Sequence, residues 1–453
     1  MDKTRDSGTY SRKEFLRTAG LGMAGLAVGM SARSYGNIMG ANDRVRFGII
    51  GLHGRGQAHI DAVHKLPNCS IRYLCDVDSR VLKERAGKVQ ELTGSAVKTE
   101  KDVRKLVEQS DVDAISIATP GHWHTPMAIL GVNAGKHVYV EKPFSHNPQE
   151  GEWLVEAQQK HPELVMQMGD QQRSARTSIE AVQLIRDGLI GKAYYGKAWY
   201  TNNRGSIGTG RPVAVPDWLD WELWQGPAPR KPYKDNIVHY NWHWFKNWGT
   251  GEIGNNAIHE LDFCRWALGL DFPVKATSTG GRYQYRDDDW QFYDTQIASF
   301  EYGEGDNKMI SWEGLSCNSF RFFDRGRGSL IRGTKGSMIV DRSGYVAYDK
   351  DNKVIKEGKE SGRTATATSD VVGGGNLTVK HFYNFAESIR GKEKPSAPMA
   401  EARKSDLLCH LGNIAQATGH TLNLNPADGK IKNDREAMKY WKREYERGWK
   451  PKV

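Results

Sequence analysis

The run Arg44 to Ile50 (Arg-Val-Arg-Phe-Gly-Ile-Ile) passes directly into Gly51-Leu52-His53-Gly54-Arg55-Gly56. Gln57 to Leu66 can follow as a helix, and Ile71 to Asp76 is a second apolar run ending in an acid. Strand, glycine turn, helix, strand and acid fold in one way, as the opening of a doubly wound parallel sheet whose first turn carries a dinucleotide. Glycines let backbone N–H groups and the helix N-terminus approach a pyrophosphate. Asp76 can accept ribose hydroxyls and would repel a 2′-phosphate, so NAD is expected and NADP is less favoured. One position departs: His53 stands where the second glycine of the fingerprint belongs, and a side chain there can crowd the pyrophosphate.

The alternation continues through a strand at Asp113 to Thr119, a helix at Thr125 to Gly135 and a strand at His137 to Val140. Just past strand C-termini, where open α/β sheets bind ligands, lie Thr119-Pro120-Gly121-His122-Trp123-His124 and Glu141-Lys142-Pro143. The proline holds the turn after Lys142, whose ammonium can polarise a hydroxyl or carbonyl oxygen. We therefore expect Gly51, His53, Gly54, Arg55, Gly56, Asp76, Thr119, Pro120, His122, His124, Glu141 and Lys142 to surround the cofactor.

From about residue 164 the pattern changes to short strands between loops, at Ala193 to Tyr200, Ala276 to Gly280, Thr295 to Tyr302 and Met309 to Glu313. The expected fold is α/β: an N-terminal Rossmann domain over 41–165, then an α+β domain over 166–453 with a largely antiparallel open sheet. At 453 residues the chain is long enough for two cores. Helices are expected at Phe382 to Ile389 and Ser405 to Thr418, closing back on the Rossmann domain. Ser361 to Thr378, poor in apolar residues, reads as a mobile linker or lid.

The reacting groups are expected in the second half. Tyr240-Asn241-Trp242-His243-Trp244 precedes Gly251 to Asp262, read as a helix that sets Asn255 and His259 on one face. A histidine can take or return a hydroxyl proton near neutral pH, and either His243 or His259 can be the base; Asn255 can only orient. Seven tryptophans fall between Trp199 and Trp248. Their rings suit either the C–H face of a sugar or the core of a long loop. Arg173, Trp242, Trp244 and Asp262 are assigned to the substrate side; Lys142, His259, His243, Tyr240 and Asn255 form the candidate catalytic set.

The formal charge of +10 collects at the two ends of the chain. The C-terminal run Lys439 to Arg447 mixes signs at helical spacing and reads as a partly docked helix, with no nucleic-acid motif. The five cysteines form no Cys-x-x-Cys pair, so neither a disulfide framework nor a metal site is expected. Residues 1–40 combine Ser-Arg-Lys-Glu-Phe-Leu-Arg with a short Gly/Ala-rich apolar run, too short to span a bilayer. This leader resembles a twin-arginine export signal with Lys13 in place of the second arginine, which implies a periplasmic protein. A cofactor carried across in that way has no soluble pool outside to exchange with and would have to stay bound.

Over roughly residues 44–450, the glycine turn, Thr119-Pro120-x-His122-Trp123-His124, Glu141-Lys142-Pro143 and the Gly251 to Asp262 segment together resemble the glucose–fructose oxidoreductase / inositol dehydrogenase / MocA family. In that family a lysine after the fifth strand, an aspartate and a histidine four residues on form the catalytic set. Lys142 and His259 match, whereas Asn255 stands at the aspartate position. The Tyr240 to His243 segment is similar to the exported NAD-dependent glycosidases of the superfamily, in which a Tyr and a His at this spacing contact the sugar. The resemblance also implies a homo-oligomer, dimer or tetramer. The expectation is an NAD-dependent enzyme that oxidises or reduces a secondary hydroxyl of a sugar or glycoside. Two alternatives stand beside it: a redox-neutral glycosidase working by oxidation and elimination, and a non-catalytic sugar- and NAD-binding protein.

Overall fold

The computed structural model describes residues 44–303, 307–360 and 376–453. The export-like leader and most of the Ser361 to Thr378 segment lie outside these residues. Among the described residues, no helix is long and apolar enough to cross a membrane.

Six parallel strands make the first sheet: β1 (Val45–Ile50), β2 (Cys69–Cys75), β3 (Lys98–Glu100), β4 (Ala114–Ile117), β5 (His137–Val140) and β6 (Met166–Met168). Their order is 3-2-1-4-5-6. β1 and β4 are almost wholly buried, as strands covered on both faces must be. The helices α1 (Gly54–Lys65), α2 (Ser79–Thr93), α3 (Val103–Val107), α4 (His124–Asn133) and α5 (Pro148–Lys160) connect these strands. The order reverses between β1 and β4, so the crevice above those two strands is the binding position of this fold.

After α6 (Arg176–Arg186), the second sheet is built from β7 (Ala193–Asn203) onward. Its strands are β8 (Lys275–Gly281), β9 (Thr295–Tyr302), β10 (Lys308–Leu315), β11 (Cys317–Asn318), β12 (Arg327–Gly333), β13 (Gly336–Asp341), β14 (Gly344–Asp349), β15 (Val354–Lys359) and β16 (Leu422–Asn423). β7 pairs parallel with β10; its other neighbours and the remaining ladders are antiparallel. The expected α/β class with a second, largely antiparallel sheet is what the chain forms. Strands β12 to β15 were not anticipated, because their alternation is blurred by glycine and charge.

Between β7 and α8 (Ile258–Leu268) runs a long irregular segment containing the one-turn α7 (Trp221–Gln225). It packs its own small core, Trp221, Trp224, Tyr233, Phe245 and Trp248, with Trp221 stacked on Trp224 at 4.7 Å. Backbone bonds fasten it to the nucleotide-binding half: Ser79 N–H to Trp218 O, Asp220 N–H to Val77 O and His122 N–H to Trp248 O. Most of the tryptophans are thus the core of this strap.

Two C-terminal helices, α9 (Asn376–Ile389) and α10 (Met399–Thr418), close the structure. Phe382 stacks on Tyr139 at 4.1 Å and Phe385 meets Phe47 at 6.2 Å, so α9 packs on the first sheet. The run from Lys439 is not a helix. It makes a 3-10 turn over Ala437–Trp441 and then extends, because Arg443 and Tyr445 both donate to the fully buried Glu150.

Candidate active site

The cleft above β1 and β4 encloses about 250 Å³. One end is the glycine turn. Gly51 has φ +80°, and a Cβ on Gly56 would stand 1.8 Å from the Gly51 carbonyl oxygen, so α1 starts tight beneath β1. The first N–H groups of a helix have no acceptor within it, and α1 carries no acid in its first turn; that end favours an anion. The Asp76 carboxylate accepts from Leu52 N–H at 2.7 Å and Asp78 N–H at 2.9 Å, which leaves lone pairs for hydroxyls. Arg55 Nη2 is buried without a hydrogen-bond partner in the cleft wall. The His53 ring lies against that of His239, centroids 3.7 Å apart and tilted by 30°. His53 remains in the cleft wall, and the glycine turn, Arg55 and Asp76 fit an adenosine pyrophosphate.

At the other end Thr119, Pro120, His124, Glu141 and Lys142 line the cleft with Tyr240, Trp242, His243, Asn255 and His259. Glu141 is buried and receives Arg55 Nε at 2.8 Å and Gln171 Nε2 at 3.1 Å. Burial alone would raise its pKa, but Arg55 and His59 hold it far below the usual carboxylate range. His124 points both ring nitrogens at carbonyl oxygens, of Pro143 at 2.6 Å and Thr119 at 2.7 Å. Burial nevertheless lowers its pKa, with those two acceptors opposing.

Lys142, whose bond to Pro143 is cis, extends its Nζ to the Asn255 carbonyl at 2.5 Å and lies 3.4 Å from Asn255 Oδ1. Burial brings its pKa down to about 8, against the pull of Glu141. Asn255 sits in a π turn, Ile253–Ala257, that leads into α8. The expected regular helix over Gly251 to Asp262 is therefore interrupted, in a way that recurs at functional sites.

His243 Nδ1 donates to the Tyr240 carbonyl at 2.6 Å. A carbonyl only accepts, so Nδ1 keeps the proton and Nε2 is left as the base. Burial and Lys142 lower its pKa to about 3, and the ring is stacked on Trp242 at 3.6 Å. The Tyr240 hydroxyl accepts from Arg204 at 3.1 Å. His259 Nδ1 lies 3.1 Å from Asp170 Oδ1. Burial drives the histidine well below its ordinary value, and burial with the Asp262 charge drives Asp170 well above its own. The two shifts both work against an ion pair between them.

Five expected site residues do not line the cleft. Gly56 lies under the turn. His122 is fully buried, its Nε2 donating to the Trp224 carbonyl. Trp244 is 1% exposed and stacked on Trp290, so it offers no free face. Arg173 and Asp262 are buried against each other in a two-bond ion pair of 2.7 and 2.8 Å. Asp262 acts on the site through its charge, which adds to burial in raising the Asp170 pKa. Residues not anticipated are Asp170, which backs His259, and Gln171, Asn256 and Arg342 in the wall. The position of Asp170 just past β6 was the available signal for it.

Fold and site define a Rossmann nucleotide-binding protein with a second, sheet-built half. Residues 45–168 match the oxidoreductase family with an NAD-binding Rossmann fold, and 190–352 match that family's C-terminal α/β domain. The chain belongs to this glucose–fructose oxidoreductase / inositol dehydrogenase / MocA family. Among curated relatives, a glycosyl hydrolase family 109 protein of Shewanella pealeana is 30% identical over 213 residues, 42% of this chain and 46% of the relative. One from Saccharopolyspora erythraea is 31% identical over 221 residues, 45% and 48% respectively. The match thus spans about half the length of these relatives. Among solved structures, the WlbA dehydrogenase of Bordetella pertussis in complex with NADH and UDP-GlcNAcA has a TM-score of 0.62 at 18% identity, covering 84% of this chain and 99% of that one. Myo-inositol 2-dehydrogenase of Lactobacillus plantarum has 0.61 at 17%, covering 84% and 100%. At those identities the likeness is one of fold.

Proposed function

We propose that this protein is an NAD-dependent oxidoreductase acting on a secondary hydroxyl of a sugar or glycoside. What carries the reading is that Lys142 Nζ and the cleft-facing nitrogens of His243 and His259 share one cleft with the glycine turn and Asp76. A nicotinamide dinucleotide, held by residues 51–55 and Asp76, supplies a hydride acceptor. His243, neutral with its lone pair on Nε2, takes the hydroxyl proton, and Lys142, still protonated below about pH 8, donates to the oxygen as its charge develops. The Trp242 ring gives a sugar an apolar wall.

A second reading, redox-neutral glycoside cleavage, is favoured by the glycosyl hydrolase relatives and by the second neutral imidazole. Once a carbonyl forms on the ring, the adjacent C–H is acidified, and His259, backed by Asp170, can remove that proton as the glycosidic oxygen leaves. Water then adds and the carbonyl is reduced again, so no net redox change remains. The basic, apolar leader supports export to the periplasm with cofactor aboard, and the family supports a homo-oligomer.

The test is to purify the protein without nucleotide, release any ligand by denaturation and weigh it. Stoichiometric NAD(H) is expected, and an empty protein that fails to bind added NAD(H) would overturn the reading. In deuterated water, label at the carbon beside the oxidised one selects glycoside cleavage; its absence during turnover leaves simple oxidation.

A further inference from the structure

Beside the glycine turn lie three groups that the proposed chemistry uses neither as acid nor as base, two of them, His53 and His239, in the cleft wall. His53 comes from the glycine turn, Asp78 from the loop after β2 and His239 from the strap. Their ligand atoms all lie within 4.8 Å of one another. His53 Nε2 is 3.5 Å and His239 Nε2 is 3.0 Å from Asp78 Oδ2. Both nitrogens are shielded from solvent and neither has a hydrogen-bond partner.

Bonds of 2.0–2.1 Å from a tetrahedral ion place neighbouring ligand atoms about 3.3 Å apart. The two histidine-to-Asp78 separations, 3.0 and 3.5 Å, bracket that value, and all three ligand atoms lie within 4.8 Å of one another. Asp78 is 1% exposed and its carboxylate is held by Arg80, Nε to Oδ1 at 3.2 Å and Nη2 to Oδ2, the oxygen facing the histidines, at 3.0 Å. A ligating carboxylate is commonly fixed from outside in this manner. The Arg80 guanidinium is in turn stacked on Trp218 at 3.5 Å. Its charge weakens the site for any cation, and the two imidazoles select a borderline transition ion over magnesium or calcium.

We infer that His53, Asp78 and His239 form a three-ligand site for a divalent transition ion of the zinc type, which clasps the strap to the glycine turn across the mouth of the cofactor cleft. The ion's fourth position is left to solvent. Because Asp78 N–H also holds Asp76, the clasp sits beside the ribose-binding acid, and closing it slows escape of the dinucleotide. That consequence rests on the NAD reading; the metal site does not.

The experiment titrates the chelator-treated, dialysed full chain with Co²⁺, read by visible absorption, and then measures NADH release with and without one equivalent of Zn²⁺. Expected are one equivalent of bound Co²⁺ with tetrahedral-type bands, displacement by Zn²⁺, and at least about tenfold slower NADH release with zinc. His53→Ala and His239→Ala, each checked for an unchanged circular dichroism spectrum, should each weaken Co²⁺ binding at least about a hundredfold, while exposed His420→Ala leaves it intact. Failure to bind Co²⁺ stoichiometrically, or equal binding by His239→Ala, overturns the site. Metal binding with unchanged NADH release overturns the clasp. A protein that binds Co²⁺ as expected but no NADH retains the site and loses the cofactor reading.

Discussion

Lys142 decides more at the site than any other residue, and its depressed pKa has a readable consequence. The group acts while protonated, so the rate should fall as pH rises through about 8. His243, neutral above about pH 3, contributes no acid limb in the working range. Lys142→Met should lower turnover about 10²- to 10⁴-fold with NADH binding retained, measured by fluorescence titration; unchanged turnover would remove Lys142 from the chemistry. Asn255→Asp would set a carboxylate near Lys142 Nζ, now 3.4 Å from Asn255 Oδ1. It should move the alkaline limb up by about one unit, and a limb that stays in place would assign it to another group. At this scale the sequence was informative wherever a residue type is tied to one chemistry at one place, as with Lys142, Asp76 and His259. It misplaced Trp244 and His122, because an aromatic or an imidazole serves a core as well as a cleft, and only packing separates the two. Asp170 escaped notice because its partner His259 arrives from another part of the chain.

Among the elements, the turn from β1 into α1 leaves least room. Gly56→Ala puts a methyl 1.8 Å from a backbone oxygen that cannot move without opening β1. The variant should bind NADH at least about tenfold more weakly, a loss of about 1.4 kcal/mol or more, with a lower thermal midpoint; calorimetry showing neither would contradict this packing. The π turn is the opposite case. Helical periodicity places Asn255 and His259 together, but nothing in the spacing shows the wide turn that aims the Asn255 carbonyl at Lys142. Four of the six parallel strands were legible because burial on both faces leaves a continuous apolar run, whereas β3, the exposed Lys-Thr-Glu, and the three-residue β6 were not. By contrast, β12 to β15 carry Gly328, Gly333, Gly336, Gly344 and Gly358, which break the alternation a strand is read by. The C-terminal run was misread as a helix because the pull of buried Glu150 on Arg443 and Tyr445 is tertiary.

For the molecule as a whole, several imidazoles are buried neutral between the layers, among them His59 and His381, each lowered to about 4 by burial. The unfolded chain takes up these protons below about pH 6.5 and the folded one only near 4. Stability is therefore complete above 6.5 and drains away as pH falls through that window, by up to about 3 kcal/mol for each such group. Thermal midpoints measured from pH 7 to 4 should decline steadily, and a flat profile would show that these rings titrate in the fold as they do in the unfolded chain. Two halves and their order could be read from composition and rhythm. That the strap belongs by contact to the nucleotide half could not, since its attachment is by backbone bonds and by its own aromatic core. The strap makes the protein its own lamp. Trp224 and Trp242 border the cleft, indole emission overlaps the absorption of reduced nicotinamide, and a dinucleotide lodged there would dim the protein each time it is reduced. The redox state could then be followed through a turnover, in real time and without a dye, from the colour of light the chain itself gives off.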